Sequence, residues 1–159
     1  MMNCRDRRVS IQNELISKYD KPVLSFCMNI PGPVKTNEQI RKAFDSGKAE
    51  LLKALSAHNI TILHTEESLE PSGDELIMAL DAPAEDIKTL ATEIEESHPL
   101  GRLFDMDVIG LDGIKLSRGA YRSCILCGCQ AQECARSRKH SVEELQDKIM
   151  KMIEAYEEA

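Results

Sequence analysis

The sequence predicts an α+β fold, a four-stranded sheet in the order β-α-β-β-α-β with an added helix at each end. Three observations carry that prediction. Runs of strand length, apolar or alternating, lie at 23–30, 59–64, 76–80 and 103–109. Stretches with helical spacing, 36–57 and 83–94, follow the first and the third of them. Only a turn-rich segment, Glu70-Pro-Ser-Gly-Asp74, parts the second run from the third. The pattern admits a ferredoxin-like antiparallel sheet or a nucleotidyltransferase-like mixed one. Residues 1–159 read as one domain, with a sheet core at about 21–112, a basic cysteine-containing loop at 113–140 and a C-terminal helix at 141–157.

In chain order, 4–19 reads as a helix carrying Val9, Ile11, Leu15, Ile16 and Tyr19 between charges. Pro22 opens Val23-Leu-Ser-Phe-Cys-Met-Asn-Ile30, a run with the branching of a buried strand, and Pro31-Gly32-Pro33 stops it. Thr36 and Gln39 can form a capping box for a helix to about Ala57, with Ile40, Phe44, Leu51 and Leu55 on its apolar face. Gly47 weakens that helix. Pro83 suits a first helical turn, and Ile87, Leu90, Ala91 and Ile94 follow at helical spacing. Asp112-Gly113 reads as a tight turn. Ser141 and Glu144 make a second capping box, opening a helix with Leu145, Ile149, Met152 and Ile153 inward.

The composition sets limits. Tryptophan is absent and aromatics are 4%, which leaves no stacking platform for single-stranded nucleic acid. A net charge of −7 opposes bulk binding to nucleic acid or anionic lipid. No run is long and apolar enough to span a membrane or act as a signal core, so a cytoplasmic protein is expected. The six cysteines then read as reduced thiols or metal ligands.

The chemistry-bearing stretch is His98-Pro-Leu-Gly-Arg-Leu-Phe-Asp-Met-Asp-Val108. In a strand, Asp105 and Asp107 leave the same face, and Mg²⁺ would relieve the repulsion between them. Arg102, in the turn before, adds a guanidinium, and the set suits a metal-bound polyphosphate. His98 titrates near neutrality and is a candidate general base. The 113–140 loop holds Lys115, Arg118, Arg122, Arg136, Arg138 and Lys139 against one acid, Glu133. Folded over the Asp strand, Arg118, Arg122, Arg136 and Arg138 could grip phosphates, as could Lys35 in Asn29-Ile-Pro-Gly-Pro-Val-Lys35. Cys124-x₂-Cys127 is half of a zinc knuckle, and Cys134 with His140 could complete a tetrahedral Zn²⁺ site. The bland alternatives are two solvated aspartates on an edge strand, a solvated basic face and a set of buried thiols.

Together, Asn29–Lys35, Asp81-Ala-Pro-Ala84, His98–Val108, Leu116-Ser-Arg118 and Cys134-Ala-Arg-Ser-Arg-Lys-His140 resemble the citrate lyase holo-acyl-carrier-protein synthase family, the apo-citrate lyase phosphoribosyl-dephospho-CoA transferases. The resemblance runs from about residue 5 to 155. It departs from the family pattern in a shortened stretch between Arg118 and Cys124 and in Cys129, where a polar residue is expected. It implies transfer of a prosthetic group from 2′-(5″-triphosphoribosyl)-3′-dephospho-CoA to a serine of the apo acyl carrier (gamma) subunit of citrate lyase, with loss of pyrophosphate. In that reading Asp105 and Asp107 hold Mg²⁺. Arg102, Lys35, the later arginines and His140 bind the donor, His98 or an aspartate takes the serine proton, and the precursor arrives ready-made. The alternative is a non-catalytic carrier-protein or nucleotide-binding module.

Overall fold

In a computed structural model the described residues are 4–117, 122, 124–127, 129–137 and 139–158. The elements are α1 (Cys4–Tyr19), β1 (Val23–Met28), α2 (Glu38–Ala57), β2 (Thr61–Glu70), β3 (Gly73–Asp81), α3 (Ala84–Ser97), a 3-10 turn (Gly101–Leu103), β4 (Phe104–Ile109), α4 (Ala131–Ser137) and α5 (Val142–Glu158). The strands lie in the order β2-β3-β1-β4 and every neighbouring pair is antiparallel. That is the ferredoxin-like arrangement of the split pattern, and the mixed-sheet alternative falls away.

Alternation along the strands divides the side chains between two layers. Leu24 and Phe26, Leu76, Met78 and Leu80, and Phe104, Met106 and Val108 face α2 and α3 in the main core, which Ile149 and Ile153 of α5 extend. Val23, Ile77, Ala79 and Ile109 face the other way, against Leu15 and Ile16 of α1. Beyond the apolar patch under α1, Glu75, Asp105 and Asp107 on that second face are half-buried, while Ser25 is buried. Gly47, which weakens α2 by propensity, has a packing reason: a Cβ there would stand 2.7 Å from Phe26 Cζ and 2.9 Å from Phe104 Cζ.

Several boundaries differ from the sequence expectation. The cap of α2 is Asn37, whose side chain accepts from Ile40 N at 2.8 Å; Thr36 instead donates to Asp74 Oδ2 at 2.9 Å. Asn59 belongs to the end of α2 rather than to a strand. It sits at φ 55°, with Ile60 N bonded to Leu55 O and Asn59 N to Ser56 O, the two bonds of a Schellman ending. The hairpin is longer than predicted, with only Pro71 and Ser72 between β2 and β3. Its extension, Thr65-Glu-Glu-Ser68, lies on an edge strand and is largely exposed, so no hydrophobic alternation marks it. The first strand ends at Met28, and the fourth begins at Phe104 because Gly101–Leu103 coil into the 3-10 turn. A short helix, α4, interrupts the basic loop. The Ser141–Glu144 capping box forms as predicted, with Glu144 N donating to Ser141 Oγ at 3.1 Å and Ser141 N to Glu144 Oε1 at 3.3 Å.

Candidate functional site

β4 carries the acid pair. Since Phe104, Met106 and Val108 are buried in the main core, Asp105 and Asp107 emerge on the α1 side. The register sets Cys27 opposite Asp105, Ser25 opposite Asp107, and Glu75 of β3 across from Cys27. Arg8 of α1 reaches over them, its Nε 3.3 Å from Glu75 Oε1 and its Nη1 3.8 Å from Cys27 Sγ. A cavity of about 280 Å³ opens there, lined by Arg8, Cys27, Asn29, Lys35, Glu75 and Asp105 among others. Lys35 Nζ donates to Ile30 O at 2.7 Å, so its loop holds it at the rim.

The electrostatics of this face are those of crowded acids. Burial, and then Asp105, raise the pKa of Asp107, while Lys115 and Lys88 pull it back. Lys115 Nζ is 3.7 Å from Asp107 Oδ2, brought there by the turn that bonds Leu116 N to Val108 O at 2.8 Å. Burial first, and Asp105 second, push the Cys27 thiol up to about 12, so it stays protonated and unreactive.

The outer edge of β4 faces no strand among the described residues, and side chains and a neighbouring turn satisfy it. Arg122 donates to Phe104 O at 2.8 Å and to Gly101 O at 2.7 Å. Met106 N donates to Glu95 Oε2 at 2.9 Å, and Lys88 Nζ to Met106 O at 3.3 Å. These contacts blunt the edge against further pairing and fix the strand that presents the acids. Gly101 is required in the turn before it, since a Cβ would fall 2.2 Å from Glu95 O.

A second locus lies on the α5 side of the sheet. Cys124, Cys127, Cys134 and His140 bring their ligand atoms within 4.8 Å of one another, a donor set able to hold a metal ion. The Cys127 thiol is drawn down to about 5, chiefly by His140, and Cys134 is pushed up to about 12, chiefly by Cys127. Beside this cluster is a cavity of about 650 Å³ lined by Arg102, Cys124, Cys134, His140, Leu145 and Ile149 among others. Asn29 lines both cavities, and its N–H donates to Leu103 O at 2.7 Å.

The sequence-predicted residues therefore separate into groups. Asp105, Asp107 and Lys35 share the α1 face. Arg102 does not stand beside the acids but lines the larger cavity with His140, because the 3-10 turn carries it away before the strand begins. His98 is likewise not beside the pair. Its Nδ1 accepts from Leu100 N at 3.0 Å and its ring lies against Phe104 and Tyr156. Burial lowers its pKa, so it is neutral near pH 7. Arg122 holds backbone carbonyls at the strand edge. Arg136 lies on α4, and Arg118 and Arg138 lie outside the described residues. Arg8 and Glu75 escaped sequence reasoning, and Asn29 entered it only as the first residue of the Lys35 loop. Asn29 had a usable signal, its position in the loop leaving β1, whereas nothing local marks Arg8 or Glu75.

Comparison with known proteins adds a family. The family described as apo-citrate lyase phosphoribosyl-dephospho-CoA transferase matches residues 1–156. A protein of that name from Citrobacter koseri is 36% identical over 145 residues, covering 89% of this chain and 79% of the relative. Another of that name, from Escherichia coli O139:H28, is 36% identical over 154 residues, covering 94% of this chain and 84% of the relative. A third, from Escherichia coli O1:K1, is 34% identical over 153 residues with the same coverage.

Proposed function

Because this chain belongs to the apo-citrate lyase phosphoribosyl-dephospho-CoA transferase family, we propose that it transfers the phosphoribosyl-dephospho-CoA group to a serine of the apo acyl carrier (gamma) subunit of citrate lyase. The donor is 2′-(5″-triphosphoribosyl)-3′-dephospho-CoA. The serine Oγ forms a bond to the phosphorus nearest the ribose, the bond from that phosphorus to pyrophosphate breaks, and pyrophosphate leaves. Donor and carrier meet the enzyme in the cytoplasm.

The single observation that carries the reading is the Asp105–Asp107 pair on one half-buried face of β4, where burial first and the charge of Asp105 second raise the pKa of Asp107. Repulsion of that kind fits a hard divalent cation, so the pair would hold Mg²⁺, which neutralises charge on a polyphosphate. Lys35 and Arg8 supply further positive charge around the cavity that Asp105 lines. The serine proton passes to a carboxylate of this face rather than to His98, which the sheet core separates from it. Arg102 binds the donor's other end in the larger cavity, whose apolar wall of Leu103, Leu145 and Ile149 suits an uncharged arm. Asn29, common to both cavities, marks the path between the two ends.

The test is intact mass of the apo carrier subunit after incubation with this protein, Mg²⁺ and the precursor, with pyrophosphate assayed alongside. A mass gain equal to the prosthetic group, with equimolar pyrophosphate, is expected. The double variant Asp105→Asn/Asp107→Asn should lose at least about a thousandfold in transfer rate while remaining folded. Normal turnover by that variant would remove the acid pair from the mechanism. Precursor binding without any mass gain would favour a non-catalytic binding module.

A further inference from the structure

We propose that Cys124, Cys127, Cys134 and His140 bind one structural Zn²⁺, which fastens the segment between the sheet and α5 and completes a wall of the 650 Å³ cavity. The four ligand atoms already lie within 4.8 Å of one another, close to the separation of about 3.7 Å that Zn–S bonds of about 2.3 Å require in a tetrahedron. Thiolates and an imidazole select a soft cation over Mg²⁺ or Ca²⁺. Four protein ligands leave no open position, which marks a structural site rather than a catalytic one.

Three further observations support it. Leu126 N lies 3.5 Å from Cys124 Sγ, a backbone donor of the kind that steadies a metal-bound thiolate. His140 Nδ1 stands 3.8 Å from Glu144 Oε2, while its buried Nε2 has no hydrogen-bond partner among the described residues, the division shown by an imidazole that ligates through one nitrogen and is oriented through the other. Most telling is burial. Among the described residues from 111 to 148, the buried ones are Cys124 and Cys134 and Ile125 packs partly against the main core, so the described part of the segment has no apolar core of its own. Segments that bury so little apolar surface are held by cross-links or metals. The ligands come from three places, the 124–127 turn, α4 and the residue before the α5 cap, so one ion would join all three. Cys129, exposed and 3.8 Å from Lys139 Nζ, is left out of the set.

The inference stands apart from the transfer reaction, and its test does not use activity. The full chain, purified under reducing conditions without added metal, should contain one equivalent of zinc by elemental analysis. Cys129→Ser should keep that equivalent, and Cys127→Ser should lose it. Should Cys127→Ser fail to fold, Co²⁺ exchange into the unaltered protein supplies a second readout, the visible bands of a tetrahedral ion and the thiolate charge-transfer absorption. Chelation should lower the melting temperature and open 124–140 to protease. The proposal is overturned by a reduced, folded protein that neither contains nor takes up zinc, or by zinc retained in Cys127→Ser. A Cys127–Cys134 disulfide in freshly isolated protein would overturn it equally, since those sulfurs stand 3.3 Å apart.

Discussion

The sheet with α2 and α3 and the segment 111–148 are held by different forces. In the first, Phe26, Phe44, Leu51, Met78 and Phe104 are fully buried and Phe26 stacks on Phe44 with ring centroids 4.9 Å apart. Burial of that kind is non-directional and strong, about 1.5–3 kcal/mol for each large side chain. In the second, hydrogen bonds from Arg122, a capping box and a cluster of thiols and imidazole do the holding. A packed core presents Asp105 and Asp107 rigidly, whereas the wall of the larger cavity depends on a few polar contacts that single changes can cut.

Substitutions sharpen that contrast, the largest effect first. Asp74 is buried and accepts from Thr36 Oγ1 at 2.9 Å and from Arg41 Nε at 2.9 Å, tying the β2–β3 hairpin to the start of α2. Asp74→Ala should destabilise the sheet region by about 2–4 kcal/mol in urea unfolding, since it leaves both donors unpaired. Gly47→Ala would gain about 1 kcal/mol of helix propensity but drives a methyl into Phe26 and Phe104. The net result should be a loss of about 1–3 kcal/mol, and an increase in stability would show that the core yields there.

Arg122→Ala tests the second region. It removes the side-chain donor from Phe104 O and one of the two donors from Gly101 O, which keeps the Phe104 N–H, and should cost about 1–3 kcal/mol, with faster hydrogen exchange confined to 101–106 and 122–137. Uniform exchange across the chain would mean that the two regions unfold as one.

Asp107→Asn should have the smallest effect and the opposite sign. The fold raises the Asp107 pKa, so the protonated form is the better fitted. That stability is fully present below the ordinary carboxylate pKa and is lost as pH rises through the raised value. The amide removes this penalty. In Mg²⁺-free buffer at pH 7 the variant should melt at a higher temperature than the parent protein. The gap should close as pH falls toward 3. A variant that melts lower at pH 7 would show that the Lys115 pair outweighs burial.

Much of the fold was legible in the chain. Helical spacing in 36–57 and 83–94, the proline-bounded run after Pro22 and the turn at Glu70–Asp74 predicted the order of elements. The missed portions have local causes. Edge strand β2 hides a polar extension, and Asn59 looks like a strand residue while serving as a helix ending. The site was legible in part: Asp105 and Asp107 on one face, and Cys124, Cys127, Cys134 and His140 as one ligand set. Arg8 was not, because nothing within a few residues of it signals which face of the sheet α1 will cover.

By itself, then, the sequence determined much of what depends on neighbours along the chain: strand alternation, the capping box at Ser141, the Cys-x₂-Cys spacing and membership of the family. Tertiary structure decided what depends on partners far apart in sequence. Pairing β4 beside β1 set Asp105 opposite Cys27 and, with α1 laid across that face, brought Arg8 to it. The same pairing turned Phe104 inward, where His98 packs on it, and so parted His98 from the acids. The reason is physical: period and capping are short-range, but which face meets which helix is settled only when distant strands form one sheet and bury one common core.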